Sequence, residues 1–124
     1  MAAADPARIR TLLLENLFAV VNVRDPARRL AAITRNYTED VKWTDHDGTT
    51  QGHVAMNEKA QILLDRLPGF VFSAAGPVHV SGDLGTLAFN VGMPEETPAV
   101  SGFDVALVRD GRIAVLHTLL TAQS

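Results

Sequence analysis

Two aspartates stand where a free carboxylate is costly. Asp104 interrupts the apolar run FDVALV, residues 103–108. A buried carboxylate must be paired, hydrogen-bonded or protonated. Kept neutral, it can donate a hydrogen bond to a developing oxyanion. Backbone N–H groups or a nearby Arg or His would satisfy it equally well. Asp45 lies in VKWTDHDG, residues 41–48, and shares strand parity with Val41 and Trp43. It is therefore expected to point inward with them. An aspartate before a turn often caps that turn, but Asp47, next to Gly48, fills the role better. That leaves Asp45 as an inward carboxylate at a strand end, beside an indole, which suits a general base. Two acids aimed at one apolar cavity are equipment for moving a proton next to a carbonyl group.

Other polar residues add less. Asn16 falls between Ile9, Leu13 and Val20 at helical spacing, on the apolar face. It either donates to a ligand or ties its helix to a loop. Trp43 is expected to pack in the core and to form a cavity wall. His46 follows Asp45 and would border the cavity mouth. His79 is placed at a strand end, and His117 on the sheet side opposite Asp104. His46 and His53 are too far apart for one helical turn and carry no HExxH pattern, so no metal site is expected. There is no glycine-rich phosphate loop and no GxSxG elbow.

Local signals position these residues. DPAR occurs twice, at 5–8 and 25–28. Each reads as a helix start, with Asp at the N-cap and Pro at the first helical position. The first helix is expected over about Pro6–Val21, with Leu17 and Val20 on its buried side. The second is expected over about Pro26–Asn36, with Leu30, Ile33 and Tyr37 on one face. A strand over Val41–Asp45 follows, then a brief pairing at Thr49–Gln51. A third helix starts after Gly52, buries Met56, Ala60, Leu63 and Leu67, and is ended by Pro68-Gly69. Strands are expected at Phe70–Val80, with Gly76-Pro77 marking a bulge or edge, and at Leu84–Gly92, Val100–Arg109 and Arg112–Leu120. Asp110-Gly111 reads as a hairpin turn needing positive φ. Three helices and a largely antiparallel run of strands make an α+β fold, with helices on one face of a curved sheet.

The chain has 124 residues, enough for a single domain, 1–124, with one sizeable core. A formal net charge of −3 gives no reason to expect nucleic acid or an anionic membrane. The absence of cysteine excludes disulfides, thiolate metal sites and a cysteine nucleophile. No apolar run is long enough to span a membrane. The start, MAAADP, lacks the basic region and apolar core of a signal peptide, so the cytoplasm is the expected location. In FDVALV both strand faces are apolar apart from Asp104. A sheet normally keeps one polar face towards water. A second copy of the chain, packed on the outer face, is the economical cover, and neighbouring loops are the alternative.

These residues resemble the SnoaL-like branch of the nuclear transport factor 2-like superfamily. The resemblance rests on both DPAR starts, on YTEDVKWTDHDGTTQG and on VSGFDVALVRDGRIAVLHTLL. The run Y-x-x-D-V-x-W-x-D-x-x-G and the hairpin G-x-D-V-A-L-V-x-D-G-R-I are its most specific parts. It implies a cone-shaped fold, three N-terminal helices on a curved, mostly antiparallel sheet, with a central apolar pocket and usually a homodimer. It implies no cofactor, and a small apolar molecule as ligand. By comparison with ketosteroid isomerase, Asp45 would be the proton-transfer base and Asp104 the oxyanion donor. Trp43, Asn16, Leu17, Tyr37 and His46 would contact the ligand, together with Met56, Ala106, Leu116 and Thr118. One departure stands out. The isomerase tyrosine of the first helix falls here near Leu17, or Asn16 with a one-residue shift, and the only tyrosine is Tyr37. Isomerase- or cyclase-type chemistry is the expected activity, with ligand binding or a dimeric scaffold as the alternative.

Overall fold

The computed structural model describes residues 5–123. The first four residues of MAAADP lie outside them. Helix α1, Pro6–Glu15, continues as one π-helical segment, Asn16–Val21. Then come α2 (Pro26–Asn36), β1 (Tyr37–Asp45), β2 (Gly48–Gln51) and α3 (His53–Asp65). The chain closes with β3 (Val71–Ala74), β4 (His79–Ser81), β5 (Leu84–Gly92), β6 (Val100–Arg109) and β7 (Arg112–Gln123). Both DPAR starts behave as their chemistry dictates. Asp5 accepts from the Ala7 N–H at 3.0 Å, and Asp25 from the Ala27 N–H at 3.2 Å.

One sheet runs in the order β2-β1-β7-β6-β5-β3, and β4 also pairs with β5. Among the described residues only β1 and β7 run parallel; the other pairings are antiparallel. Three helical elements lie on its concave face and share one core with it. Ile9, Leu13, Leu17 and Val20 are buried there, as helical spacing requires. On β6, Asp104, Ala106 and Val108 point in, while Leu107 is 44% exposed on the outer face. Asp110 and Gly111 both take positive φ, 54° and 77°, and close the β6–β7 hairpin as the sequence predicts. Among the described residues no helix is long and apolar enough to cross a membrane.

Several boundaries differ from the sequence reading, some through local backbone geometry and some through long-range contacts. The first helix changes hydrogen-bond pattern at Asn16; the Asn22 N–H reaches back to the Leu17 carbonyl at 2.9 Å. Tyr37 leaves the helical face expected for it and opens β1, because it pairs with Ile113 of β7. The expected strand 70–80 is two strands, since Gly76-Pro77 breaks the pairing with β5 outright. α3 stops at Asp65, where Arg24 donates to the carbonyls of Leu64, Leu67 and Phe70 at 3.0, 2.7 and 3.1 Å. α3 buries Met56, Ala60 and Leu64, while Leu63 and Leu67 are only partly buried. β7 outruns its expected end at Leu120 by pairing with the start of β6.

Arg29 is wholly buried between α2 and α3, and among the described residues no carboxylate is bonded to it. It donates instead to Asn57 Oδ1 at 2.6 Å, the Val23 carbonyl at 2.7 Å and Gln61 Oε1 at 2.8 Å. Burial holds its pKa below the usual arginine value.

The β6–β7 register shift beside Gly102 brings the two backbones close together. A Cβ at Gly102 would overlap the Leu119 carbonyl oxygen and lie 2.9 Å from Phe89 Cζ. Backbone cannot step aside as a flexible side chain does. Gly102→Ala should therefore destabilise the fold by about 2–3 kcal/mol. Denaturant unfolding checks this as a lower midpoint at unchanged slope.

Candidate active site

A cavity of about 220 Å³ opens between the end of α3 and the wide end of the sheet. Leu63, Arg66 and Leu67 form its helical wall, and Phe72, Phe89 and Val91 its far sheet wall. The near wall is Trp43 and Thr118, with Val100 and Leu120 beside them, and Asp45, His46 and Asp47 at one edge. Four of the residues singled out from sequence therefore meet here: Trp43, Asp45, His46 and Thr118. The other seven do not line it. Asp104, Asn16, Leu17, Tyr37, Met56, Ala106 and Leu116 are packed in the core, each at 2% exposure or less.

Asp45 reaches its place as the last residue of β1, pointing to the same side as Trp43. Its Oδ1 accepts from Lys59 Nζ at 2.8 Å and from the Asp47 N–H at 2.8 Å. Among the described residues no hydrogen bond is made to its other oxygen, Oδ2. The expected division of labour, with Asp47 making the turn and Asp45 free of it, is thus corrected. Asp45 caps the turn itself, because an aspartate reaches the N–H two residues on. Asp47 is exposed, 3.6 Å from His46 Nε2 and 3.7 Å from Arg66 Nη1. Asp45, His46 and Asp47 offer ligand atoms within 4.8 Å of one another, but Lys59 and Arg66 already partner the two carboxylates.

Lys59 went unnoticed in the sequence. Its Nζ lies 4.9 Å from the centre of the Trp43 ring, a cation–π contact, and 3.1 Å from the Gly48 carbonyl. A signal was present: Met56, Lys59 and Leu63 follow helical spacing along the edge of the buried face.

Behind Trp43 runs a buried chain of hydrogen bonds. Trp43 Nε1 donates to Thr118 Oγ1 at 3.0 Å, and Thr118 donates to Asp104 Oδ1 at 2.8 Å. Asn16 Nδ2 donates to Asp104 Oδ2 at 2.9 Å, and the Tyr37 hydroxyl donates to Asn16 Oδ1. Asn16 therefore ties its helix to the sheet. His53 Nε2 lies 2.9 Å from the Tyr37 carbonyl at the head of α3. His79 and His117 are exposed.

Burial raises the Asp104 pKa from the ordinary 3.8 to about 6, against the hydrogen bonds from Thr118 and Asn16, which lower it. Burial, Asp104 and Glu15 together push the Tyr37 phenol well above its usual value.

Three helical elements on a curved, unclosed sheet define the nuclear transport factor 2-like class of α+β proteins. Within it, the SnoaL-like domain family matches residues 14–116, and the chain belongs to that family. Solved structures agree on the fold. A candidate isomerase of the SnoaL-like family from Agrobacterium tumefaciens is 20% identical, with a TM-score of 0.86 over 94% of this chain and 99% of that one. A candidate ketosteroid isomerase from Kribbella flavida is 16% identical, with a TM-score of 0.71 over 95% and 81%. A candidate polyketide cyclase from Sinorhizobium meliloti is 19% identical, with a TM-score of 0.70 over 87% and 93%. No curated protein matches the chain by sequence.

The Asp104 shift has a signed consequence for stability. Its carboxyl holds a proton more tightly folded than unfolded, so its contribution to stability is fullest below about pH 4 and is lost as pH rises through about 6. Asp104→Asn stays neutral and lacks this loss. The variant's stability relative to the parent should be about 3 kcal/mol more favourable at neutral pH than below about pH 4. Paired denaturant curves at the two pH values measure it.

Proposed function

We propose that the cavity binds a small apolar carbonyl compound and that Asp45 moves a proton on it, without a cofactor, in an isomerase- or cyclase-type reaction. The supporting observation is the Asp45 carboxylate. One oxygen is anchored by Lys59 and the turn, and the other is left unbonded at the edge of an apolar cavity. A base must be held in place and still present a lone pair to the substrate. Trp43 and the apolar walls would hold the ligand's body against it. His46 and Arg66 stand near enough to serve polar groups at the mouth. Asp104 supports the developing oxyanion from behind Thr118. The protein works in the cytoplasm.

A second reading, a ligand carrier without turnover, draws on one observation. The expected oxyanion donor, Asp104, and the only tyrosine hydroxyl both lie behind the cavity wall. Proton exchange separates the two readings. With indanone in deuterium oxide, the catalyst should speed deuterium uptake beside the carbonyl. Asp45→Asn should slow that uptake at least about 100-fold while ketone binding persists. Binding without any acceleration by the parent protein would favour the carrier.

The working form is a homodimer through the outer sheet face. Leu107 and Leu119 are 44% and 43% exposed there, with Phe103 and Val105 half-buried between them. Register places Phe103 beside Leu119 and Val105 beside His117, so the patch is continuous. Sedimentation should give a dimer for the parent and a folded monomer for Leu107→Glu combined with Leu119→Glu.

A further inference from the structure

The hydrogen bonds around Asp104 have a direction. The Tyr37 hydroxyl is buried, and Asn16 is its polar partner. A buried phenol that donates fixes the amide: Asn16 Oδ1 accepts, and Nδ2 is turned to Asp104 Oδ2. At the other end the indole N–H of Trp43 can only donate. Thr118 Oγ1 therefore accepts from Trp43 and spends its single proton on Asp104 Oδ1. Both ends aim donors at an ionised Asp104.

A proton added to Asp104 has one place to go. Oδ2 faces the Asn16 amide N–H, which cannot turn without orphaning the Tyr37 proton. The new proton belongs on Oδ1, and it comes through Thr118. Thr118 passes its own hydrogen to Oδ1 and takes one from a hydronium ion entering the cavity from solvent, which leaves as water. Asp104 then donates to Thr118 Oγ1, which still accepts from Trp43. The Thr118 hydrogen is left without a partner inside the protein, and Thr118 lines the cavity.

We propose that Thr118 selects the polarity of the ligand. With Asp104 ionised it offers the cavity an acceptor and takes a hydroxyl or amine; with Asp104 protonated it offers a donor and takes a carbonyl. This deepens the reading of the cavity as a ligand site and does not depend on turnover there. The groups facing Asp104 are Asn16, Leu87 of β5, Thr118 of β7 and, beyond Asn16, Tyr37 of β1 with Glu15 acting on it. Asp45, His46, Asp47 and Arg66 edge the cavity as well. The variant that tests the switch leaves all of them in place.

Fluorine NMR on the full chain, with para-fluoroacetophenone as an acceptor-only probe and para-fluoroethylbenzene as its shape control, provides the test. The ketone should bind roughly three- to tenfold tighter at about pH 5 than at about pH 8, one neutral hydrogen bond's worth, while the control is unchanged. Asp104→Asn presents an amide N–H to Thr118 and its carbonyl to Asn16, so it imitates the protonated state. It should bind the ketone in the tight mode at both pH values. Thr118→Ser should keep the pH dependence. Equal ketone affinity at the two pH values, a control that follows the ketone, or an unaltered pH dependence in Asp104→Asn would each overturn the proposal. Trp43, the only tryptophan, gives a second readout through its N–H partner. If neither probe binds, the ligand-site reading fails, yet Trp43 emission still decides the relay. A transition with pH in the parent that is absent from Asp104→Asn upholds it, and an unmoved or identical emission overturns it.

Discussion

Asp104 is 2% exposed on the concave face of β6, and no cation among the described residues pairs with it. A carboxyl so placed must collect hydrogen bonds or give up its charge. Thr118 and Asn16 supply one bond to each oxygen, from β7 and from the first helical element. Tyr37 and Trp43, both on β1, secure those two donors in turn. One buried charge thus makes the placement of three strands and a helix interdependent. The bonds come from neutral groups, so they lessen the cost of burial without cancelling it. The raised pKa of Asp104 is what remains.

Trp43 joins this buried chain to the exposed edge of the cavity. Its ring carries the Lys59 ammonium, which holds Asp45. Its N–H holds Thr118, which holds Asp104. The two aspartates do not touch, yet one indole is a partner to both systems. A shift of that ring would disturb Asp45 and Thr118 together. Packing resists such a shift, because Trp43 is 3% exposed and built into the parallel pairing of β1 with β7.

What was legible in the sequence follows from how local each cause is. The DPAR starts and the Asp110-Gly111 hairpin were legible because capping and turn chemistry act within a few residues. Strand parity placed Asp104 inward correctly, because side-chain alternation is a property of the strand itself. Parity could not say that Asp45 would bond the N–H of its own turn, since a short side chain at a strand end can point inward and still reach back. The Asn16–Asp104 bond spans 88 residues, and neither residue signals the other. Tyr37 continued a helical pattern in sequence and left it only because β7 offered a partner. The seven buried candidates were expected at the ligand and lie in the core, off the cavity wall. A wall is defined by where packing stops, and an apolar periodicity reads the same on both sides of that line.

The position of Tyr37 bears most directly on chemistry. A tyrosine on the first helix could aim its hydroxyl at a bound ligand. Here the only tyrosine enters from the start of β1, and its proton is committed to Asn16 in the core. That commitment orients the Asn16 amide towards Asp104 and turns the phenol into a support for the acid instead of a ligand contact. From this side of the cavity the polar side chain is Thr118, whose one hydrogen is donated to Asp104. A hydroxyl so committed is free to donate elsewhere only while Asp104 holds a proton of its own. The same burial that costs the fold stability above about pH 6 keeps that protonated state within reach of neutral pH.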